Sequence, residues 1–171
     1  MPELHLVADV EKQIAQLCQG GGAFLTVKHE ERLNTMTIGW GTIGFIWGKL
    51  IIMVAVRPSR YTFDILEQSL EFTVSIPFDT SFKDALELCG TKSGRDMDKF
   101  EAAGLKPTIA QKIATPVISG AAWHYECNVV YRTEMTDAGI LAAPIRERLY
   151  TMNSGGLHEL YFGEILAGYL T

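Results

Sequence analysis

The chain of 171 residues holds only three cysteines, Cys18, Cys89 and Cys127, with no C-x-x-C pair among them. An odd, widely spaced set gives no disulfide framework, so a reducing cytoplasm is the expected compartment. Long apolar runs are also missing. The longest, Leu50 to Val56, falls far short of the ~20 residues that a helix needs to cross a bilayer. The opening stretch "MPELHLVADVEKQ" lacks a basic region followed by an apolar core, so no signal peptide is expected. Positive charge is in deficit, with 15 Lys and Arg against 20 Asp and Glu, a net charge of -5 and a pI of about 5.4. Such a balance does not favour nucleic acid or anionic membrane as a partner. No G-x-x-x-x-G-K-[ST] occurs, which excludes a P-loop, and no G-x-S-x-G occurs, which leaves an esterase without support.

Metal ligands are sparse as well. His124 and Glu126 share one face of a predicted strand, and His29, Glu30 and Glu31 sit in a charged loop; neither set completes a metal site, and no metal is expected. Catalysis by a Cys–His pair has little to build on. Cys127 lies on the apolar face of a strand, where a thiol is usually buried and inert, while Cys89, next to Gly90 and a polar loop, is the one expected to be more exposed.

What is present describes one domain, residues 1–171, with room for a core. Hydrophobic residues make up 47% and charged residues 20%. The mean hydropathy of +0.11 leans towards an obligate oligomer. Val7, Val10, Ile14, Leu17 and Cys18 recur at helical spacing, and the glycines 20–22 end that helix. "AFLTVK" (23–28) reads as a strand. The polar loop "HEERLN" leads to "TMTIGW" and "GTIGFIWGK", and "LIIMVAV" (50–56) reads as a buried strand. "YTFDILEQ" predicts a short helix, "EFTVSI" (71–76) a strand stopped by Pro77, and 81–88 and 96–103 two further helices. Over 123–132 the period is two: Trp123, Tyr125, Cys127, Val129 and Tyr131 take one face, and His124, Glu126, Asn128 and Arg132 the other. "ELYFGEILAGYL" closes the chain as a strand. Strands dominate and the helices are short, which favours a β-barrel with peripheral helices over a doubly wound sheet.

"GWGTIG" (39–44) matches G-x-G-x-x-G, but a dinucleotide fold requires a helix after it. The following "FIWGKLIIMVAV" is strand-like, so these glycines instead serve tight turns or close approach of backbone to a flat ligand. "VAVRPSRYTFDIL" (54–66) is the most informative segment. Arg57, Ser59, Arg60, Tyr61 and Thr62 follow directly on a buried strand and open a helix. Ser59 as a plain helix cap is one reading. The other is an anion site, because guanidinium forks, hydroxyls and a helix N-terminus together suit one phosphate. Lys92, Ser93, Gly94, Arg95 and Lys99 form a second group of the same character, which points to a nucleotide-like ligand.

The segments "NTMTIGWGTIGFIWGKLIIMVAVRPSRYT", "EFTVSIP", "CGTKSGRDMDKFEAAGLKP", "YECNVVYRTEM" and "HELYFGEILAGY", in this order, resemble the flavin reductase-like, FMN-binding split-barrel family, which includes flavoredoxin. The resemblance covers roughly residues 22–169. It implies a mainly β split barrel of Greek-key topology with short peripheral helices, and a homodimer holding FMN at or near the subunit interface. By the same resemblance Arg57, Ser59, Arg60 and Thr62 hold the phosphate with Tyr61 beside them, helped by Ser93 and Lys99. The segment from Asn34 through Thr35, Met36, Thr37 and Trp40 to Gly41 lines the isoalloxazine ring, and either Trp40 or Trp47 packs near it. His158 matches a histidine found before the last strand in this family; it is either a catalytic residue beside the ring or a structural strand-end histidine. Two positions depart from the pattern: Leu50 stands where relatives often have proline, and Leu157 where many have aspartate, which removes an adjacent carboxylate that would orient His158.

The resemblance implies an oxidoreductase that moves hydride or electrons from NAD(P)H through FMN to flavin or another acceptor, with a redox partner protein as one such acceptor. A flavoredoxin-type carrier with tightly bound FMN, and a non-catalytic split barrel that binds haem or a nucleotide, are the alternatives.

Overall fold

The computed structural model describes residues 4–151 and 155–171, so the first three residues of the N-terminal stretch lie outside the described residues. A 3-10 turn (Leu4–Val7) precedes helix α1 (Val10–Gln19), which the glycines end as expected. Strands β1 (Ala23–His29) and β2 (Arg32–Ile38) then form a hairpin. The sequence suggested a loop over 29–34; the chain instead reverses at Glu30, whose φ of 53° takes the left-handed turn conformation, and Arg32 to Asn34 already belong to β2. Strands β3 (Gly41–Ile46) and β4 (Lys49–Val56) form a second hairpin. Its two-residue turn places both Trp47 (φ 56°) and Gly48 (φ 73°) at positive φ, as a turn matching the strand twist requires. A strand follows "GWGTIG", in agreement with the rejection of a dinucleotide fold.

Helix α2 (Tyr61–Ser69) leads to β5 (Glu71–Ile76), then α3 (Lys83–Thr91) and the short α4 (Lys99–Ala102). The helix expected over 96–103 is thus a single turn, because Asp98 caps it by accepting from the N–H groups of Phe100 and Glu101. The two-residue strands β6 (Pro107–Thr108) and β7 (Val117–Ile118) pair with each other. Strand β8 (Trp123–Glu134), helix α5 (Ala143–Leu149) and strand β9 (Glu159–Leu170) complete the chain.

The main sheet has seven antiparallel strands in the order β2-β1-β5-β8-β9-β4-β3. β5, β8 and β9 are neighbours in sequence order, and β4 returns beside β9 rather than β5, a Greek-key arrangement. The edges β2 and β3 are consecutive in sequence, with only Gly39 and Trp40 between them. Extended chain spans at most about 3.5 Å per residue, so the two edges approach within roughly 10 Å at that link. The sheet must curl into a barrel, yet its ladder does not close between β2 and β3. The result is the split barrel that the resemblance implies.

Leu25, Val27, Ile52, Val54, Phe72, Val74, Tyr125 and Tyr161 fill the interior, closed by Ile65 and Leu66 of α2. A second apolar cluster lies outside β1, where α3 and α4 bury Phe24, Leu86, Cys89, Phe100 and Ile118. That outer layer overturns the expected exposure of Cys89: its thiol is buried, and burial pushes it up to about 11, against the pull of the Lys99 ammonium. The simple two-faced reading of β8 also needs correction. Trp123 to Cys127 are buried on both faces, and register shifts after Glu126 and after Val129 interrupt the alternation. Glu126 is fully enclosed and its carboxylate accepts from the backbone N–H groups of Gln111 (2.7 Å) and Lys112 (2.6 Å) and from the Tyr169 hydroxyl (2.8 Å). It ties the 109–115 loop over the sheet, which is why a carboxylate is tolerated there. Cys127 is buried, as its strand position predicted.

Candidate functional site

A cleft of two joined lobes opens where the barrel is split. Met36, Arg57 and Arg60 line both lobes. The first lobe, about 260 Å³, collects the cationic and hydroxyl groups. β4 ends at Val56, and the chain emerges as Arg57, Pro58 and Ser59 before α2 begins. Arg60 occupies the N-cap position in extended conformation, and no side chain caps the helix. Ser59 therefore does not serve as the cap; its hydroxyl lies 3.5 Å from the Gly155 carbonyl. Tyr61 and Thr62 in the first turn face the lobe, and Thr62 accepts from the Asn34 amide at 2.9 Å, which fixes β2 against α2. The opposite wall is Thr91, Lys92, Ser93 and Gly94, the exit of α3. Gly94 lies so close to β2 that a Cβ there would stand 2.1 Å from Asn34 Oδ1 and 2.9 Å from the Tyr61 ring.

Lys99 reaches the floor of this lobe from α4. It is only 4% exposed, and its ammonium donates to the carbonyls of Cys89 (2.8 Å) and Thr35 (3.1 Å). Burial lowers its pKa, the Cys89 thiol opposes that, and the Arg60 guanidinium adds to it. Arg60 donates to the Gly90 carbonyl at 3.2 Å, and Arg57 to the carbonyls of Gly156 (3.1 Å) and Leu149 (3.4 Å). Among the described residues no carboxylate pairs with Arg57, Arg60 or Lys99. Arg95, by contrast, is spent on Asp64 at 2.5 Å and on the face of Tyr61.

The second lobe, about 270 Å³, is lined by the run Met36 to Trp40, by Ala55, and by Arg148, Leu149 and His158. Thr37 is held by donation to the Leu86 carbonyl at 2.6 Å. The rings of Trp40 and His158 form one wall, with centroids 4.9 Å apart, and the Tyr150 ring packs against them, 6.3 Å from Trp40 and 5.7 Å from His158. The Tyr150 hydroxyl lies 3.0 Å from His158 Nδ1, and Arg57 stands 6.0 Å over the Tyr150 ring. Burial, with the Arg57 and Arg60 charges, brings His158 down to about 4, so the imidazole is neutral at neutral pH. Burial raises Tyr150, and Arg57 opposes that rise.

The fold thus brings Asn34, Met36, Arg57, Ser59, Arg60, Tyr61, Thr62, Ser93 and Lys99 together in the first lobe, and Met36, Thr37, Trp40 and His158 in the second. Three sequence-predicted residues lie apart from the lining. Thr35 turns its hydroxyl inward to Thr26 (3.1 Å) and offers the cleft side only its carbonyl, taken by Lys99. Gly41 pairs with Val54 inside the β3–β4 ladder. Trp47 sits at the far turn of that hairpin, 54% exposed, against Tyr131 and Phe162. Of the two tryptophans, Trp40 is the one at the cleft. Arg148, Leu149 and Tyr150 escaped the sequence reading; Pro144 at the start of α5 was the one local signal for that helix.

Among the described residues no His, Cys, Asp and Glu side chains cluster as a metal site. An incompletely closed Greek-key barrel with a cationic lobe and a ring-walled lobe at its opening defines the split-barrel class of ligand-binding proteins. The chain belongs to the flavin reductase-like family: residues 16–171 match the model of the flavin reductase like domain. It is 30% identical over 143 residues to an uncharacterized protein of Archaeoglobus fulgidus, an alignment that covers 84% of this chain and 68% of that one. Among solved structures it is similar to an FMN-binding protein from Thermus thermophilus (24% identity, TM-score 0.66, 86% of this chain and 68% of the other). It is also similar to the flavoredoxin of Desulfovibrio vulgaris (Miyazaki F), at 22% identity and TM-score 0.67, over 88% of this chain and 69% of the other. These two likenesses establish the fold.

Proposed function

We propose that the cleft binds FMN and that the protein, acting as one domain, is an oxidoreductase passing hydride or electrons from NAD(P)H to flavin or another acceptor. One observation carries this reading: among the described residues three neighbouring cations, Arg57, Arg60 and Lys99, donate to neutral carbonyls and pair with no carboxylate, in a chain of net charge -5. An enclosed ammonium without a counter-charge is costly, and an anionic ligand relieves that cost. Lys99 has three donors and spends two on carbonyls, so one remains for a phosphate oxygen. The uncapped N-terminus of α2 and the hydroxyls of Ser59, Thr62 and Ser93 complete a phosphate-sized set. The second lobe, walled by Trp40 and lined by residues 36–39, suits a flat ring.

Bound FMN supplies a ring that accepts hydride. The chain's own residues then have distinct tasks. Arg60, Ser59, Thr62, Ser93 and Lys99 bind the phosphate. The backbone of 36–40 and the Trp40 side chain orient the ring and exclude water from one side. His158, held neutral, is the candidate for the role beside the ring. Family membership supports a flavin-linked redox function, and the likeness to the FMN-binding protein from Thermus thermophilus supports FMN as the cofactor.

We also propose a homodimer. Phe45, Ile46, Trp47 and Tyr131 are exposed apolar side chains on and beside the edge hairpin β3–β4, a surface suited to a second copy. The three unpaired cysteines support a reducing, cytoplasmic setting, and among the described residues no helix is long and apolar enough to cross a membrane.

The test is the visible spectrum of the purified protein, repeated anaerobically with NADH and with NADPH. A flavin spectrum that bleaches with one nucleotide establishes a reductase and its donor. A flavin spectrum indifferent to both makes the protein an electron carrier served by a partner. A colourless protein that fails to take up added FMN refutes the assignment.

A further inference from the structure

Three groups meet at His158: the Tyr150 hydroxyl at 3.0 Å from Nδ1, the Trp40 ring at 4.9 Å, and the Arg57 side chain, which lies over Tyr150 and donates to the Leu149 and Gly156 carbonyls. The Tyr150 hydroxyl has one proton and two acceptors within reach, His158 Nδ1 and the Met135 sulfur at 3.5 Å. An imidazole lone pair is a far better acceptor than a thioether, and a phenol is a better donor than acceptor, since its oxygen lone pair is shared with the ring. The proton therefore goes to Nδ1, and the imidazole carries its own proton on Nε2. Nε2 lies on the far side of the ring from Tyr150 and meets no protein acceptor among the described residues, while His158 itself lines the ring lobe.

We propose that Tyr150 is a positioning residue: it fixes His158 as the Nε2–H tautomer, so that an uncharged imidazole offers one N–H to the carboxamide oxygen of a nicotinamide hydride donor entering the ring lobe. This rests on the flavin reading of that lobe. A neutral donor is what the surroundings allow, because Arg57 and Arg60 face the same lobe and oppose a third positive charge. Of the side chains next in sequence, Leu157 is apolar and Glu159 is engaged by Arg132 at 3.2 Å, so the hydroxyl of Tyr150 orients this ring. A carbonyl on a flat, uncharged ring matches one N–H presented beside the tilted Trp40 ring.

The test uses the full chain with 15N-labelled histidine, the His158 signals assigned by their loss in His158→Gln. The wild type should show protonated Nε2 and bare Nδ1, and Tyr150→Phe should give a mixture of tautomers. Met135→Leu should leave the tautomer unchanged. In turnover, Tyr150→Phe should raise KM for the nicotinamide nucleotide about fivefold, the loss expected for one weakened hydrogen bond. A wild type protonated on Nδ1, or a tautomer shift in Met135→Leu, overturns the proposal even where Tyr150→Phe fails to fold. An unchanged tautomer and unchanged KM in a folded Tyr150→Phe protein overturn it too. The tautomer is read without turnover, so a protein that takes up no FMN refutes the flavin reading separately.

Discussion

Lys99 donates its ammonium to the Thr35 carbonyl 3.1 Å away, tying helix α4 to the edge strand β2 beneath the anion lobe. The same ammonium holds Cys89 of α3, so three elements converge on one enclosed charge. Lys99→Met keeps the aliphatic stem and removes the charge. FMN affinity should fall by about 1.5–3 kcal/mol, the worth of a charge-assisted hydrogen bond, while riboflavin binding changes little. Isothermal titration with both ligands decides it: equal losses would mean that Lys99 shapes the pocket rather than binding the phosphate. Burial depresses this lysine below its ordinary value, so it loses its proton at lower pH than a free lysine. Wild-type affinity for FMN relative to riboflavin should therefore weaken at alkaline pH, and Lys99→Met should lack that arm.

Arg60 tests the same lobe from α2. Its guanidinium meets only the Gly90 carbonyl among the described residues, so Arg60→Ala leaves no buried carboxylate behind. We expect a similar loss for FMN, about 1.5–3 kcal/mol, and little for riboflavin. Measuring both in one competition series checks it.

Gly94 is the point where the α3 exit presses on β2. Gly94→Ala places a methyl 2.1 Å from the Asn34 amide oxygen and must displace that side chain from Thr62. The cost expected for such overpacking is about 1–3 kcal/mol, together with weaker FMN binding. Asn34→Ala in the same chain should recover part of the loss, because the two changes share one clash; simple additivity in denaturant titrations would contradict the contact.

The anion lobe was legible because most of its residues are contiguous: Arg57 to Thr62 come from one strand-to-helix junction, and Ser93 to Lys99 from one helix exit. The ring lobe was legible only in part. Met36 to Trp40 lie on one run, but Arg148 and Leu149 arrive from a helix with no periodic signal, and only the fold brings them to the lobe. Trp40 and Trp47 have similar glycine-rich surroundings in sequence; pairing register alone reveals that one spans the split and the other turns a hairpin. Burial on a second layer was invisible too. Cys89, His124 and Glu126 read as exposed or one-faced because nothing local announces that α3, α4 and the 109–118 segment cover the outside of the sheet.

That difference between the tryptophans is measurable. Trp47→Phe keeps an aromatic ring against Tyr131 and Phe162 and should leave FMN affinity unchanged. Trp40→Leu removes a ring from the cleft wall and should weaken FMN by about 0.5–1.5 kcal/mol, the usual worth of an aromatic pair beyond burial. Fluorescence quenching titrations of the two variants check this, and the reverse pattern would place the flavin at the other end of the hairpin.

His124 makes acid the weak point of the fold. It is fully enclosed, with Nδ1 2.9 Å from Ser75 Oγ, Nε2 3.2 Å from Thr171 Oγ1, and the Tyr169 ring packed 5.3 Å away. Burial lowers it from 6.5 to about 4 against the pull of Glu126. The unfolded chain therefore takes up this proton before the folded one does. Its contribution is fully present above about pH 6.5, shrinks as pH falls, and is fully lost near pH 4, a loss of up to about 3 kcal/mol. Urea unfolding at several pH values across that window should show the decline. His124→Gln, which keeps a polar side chain towards Ser75 and Thr171 but cannot titrate, should be less stable at neutral pH and flatter below it. An equally steep decline in the variant would assign the acid sensitivity to other groups.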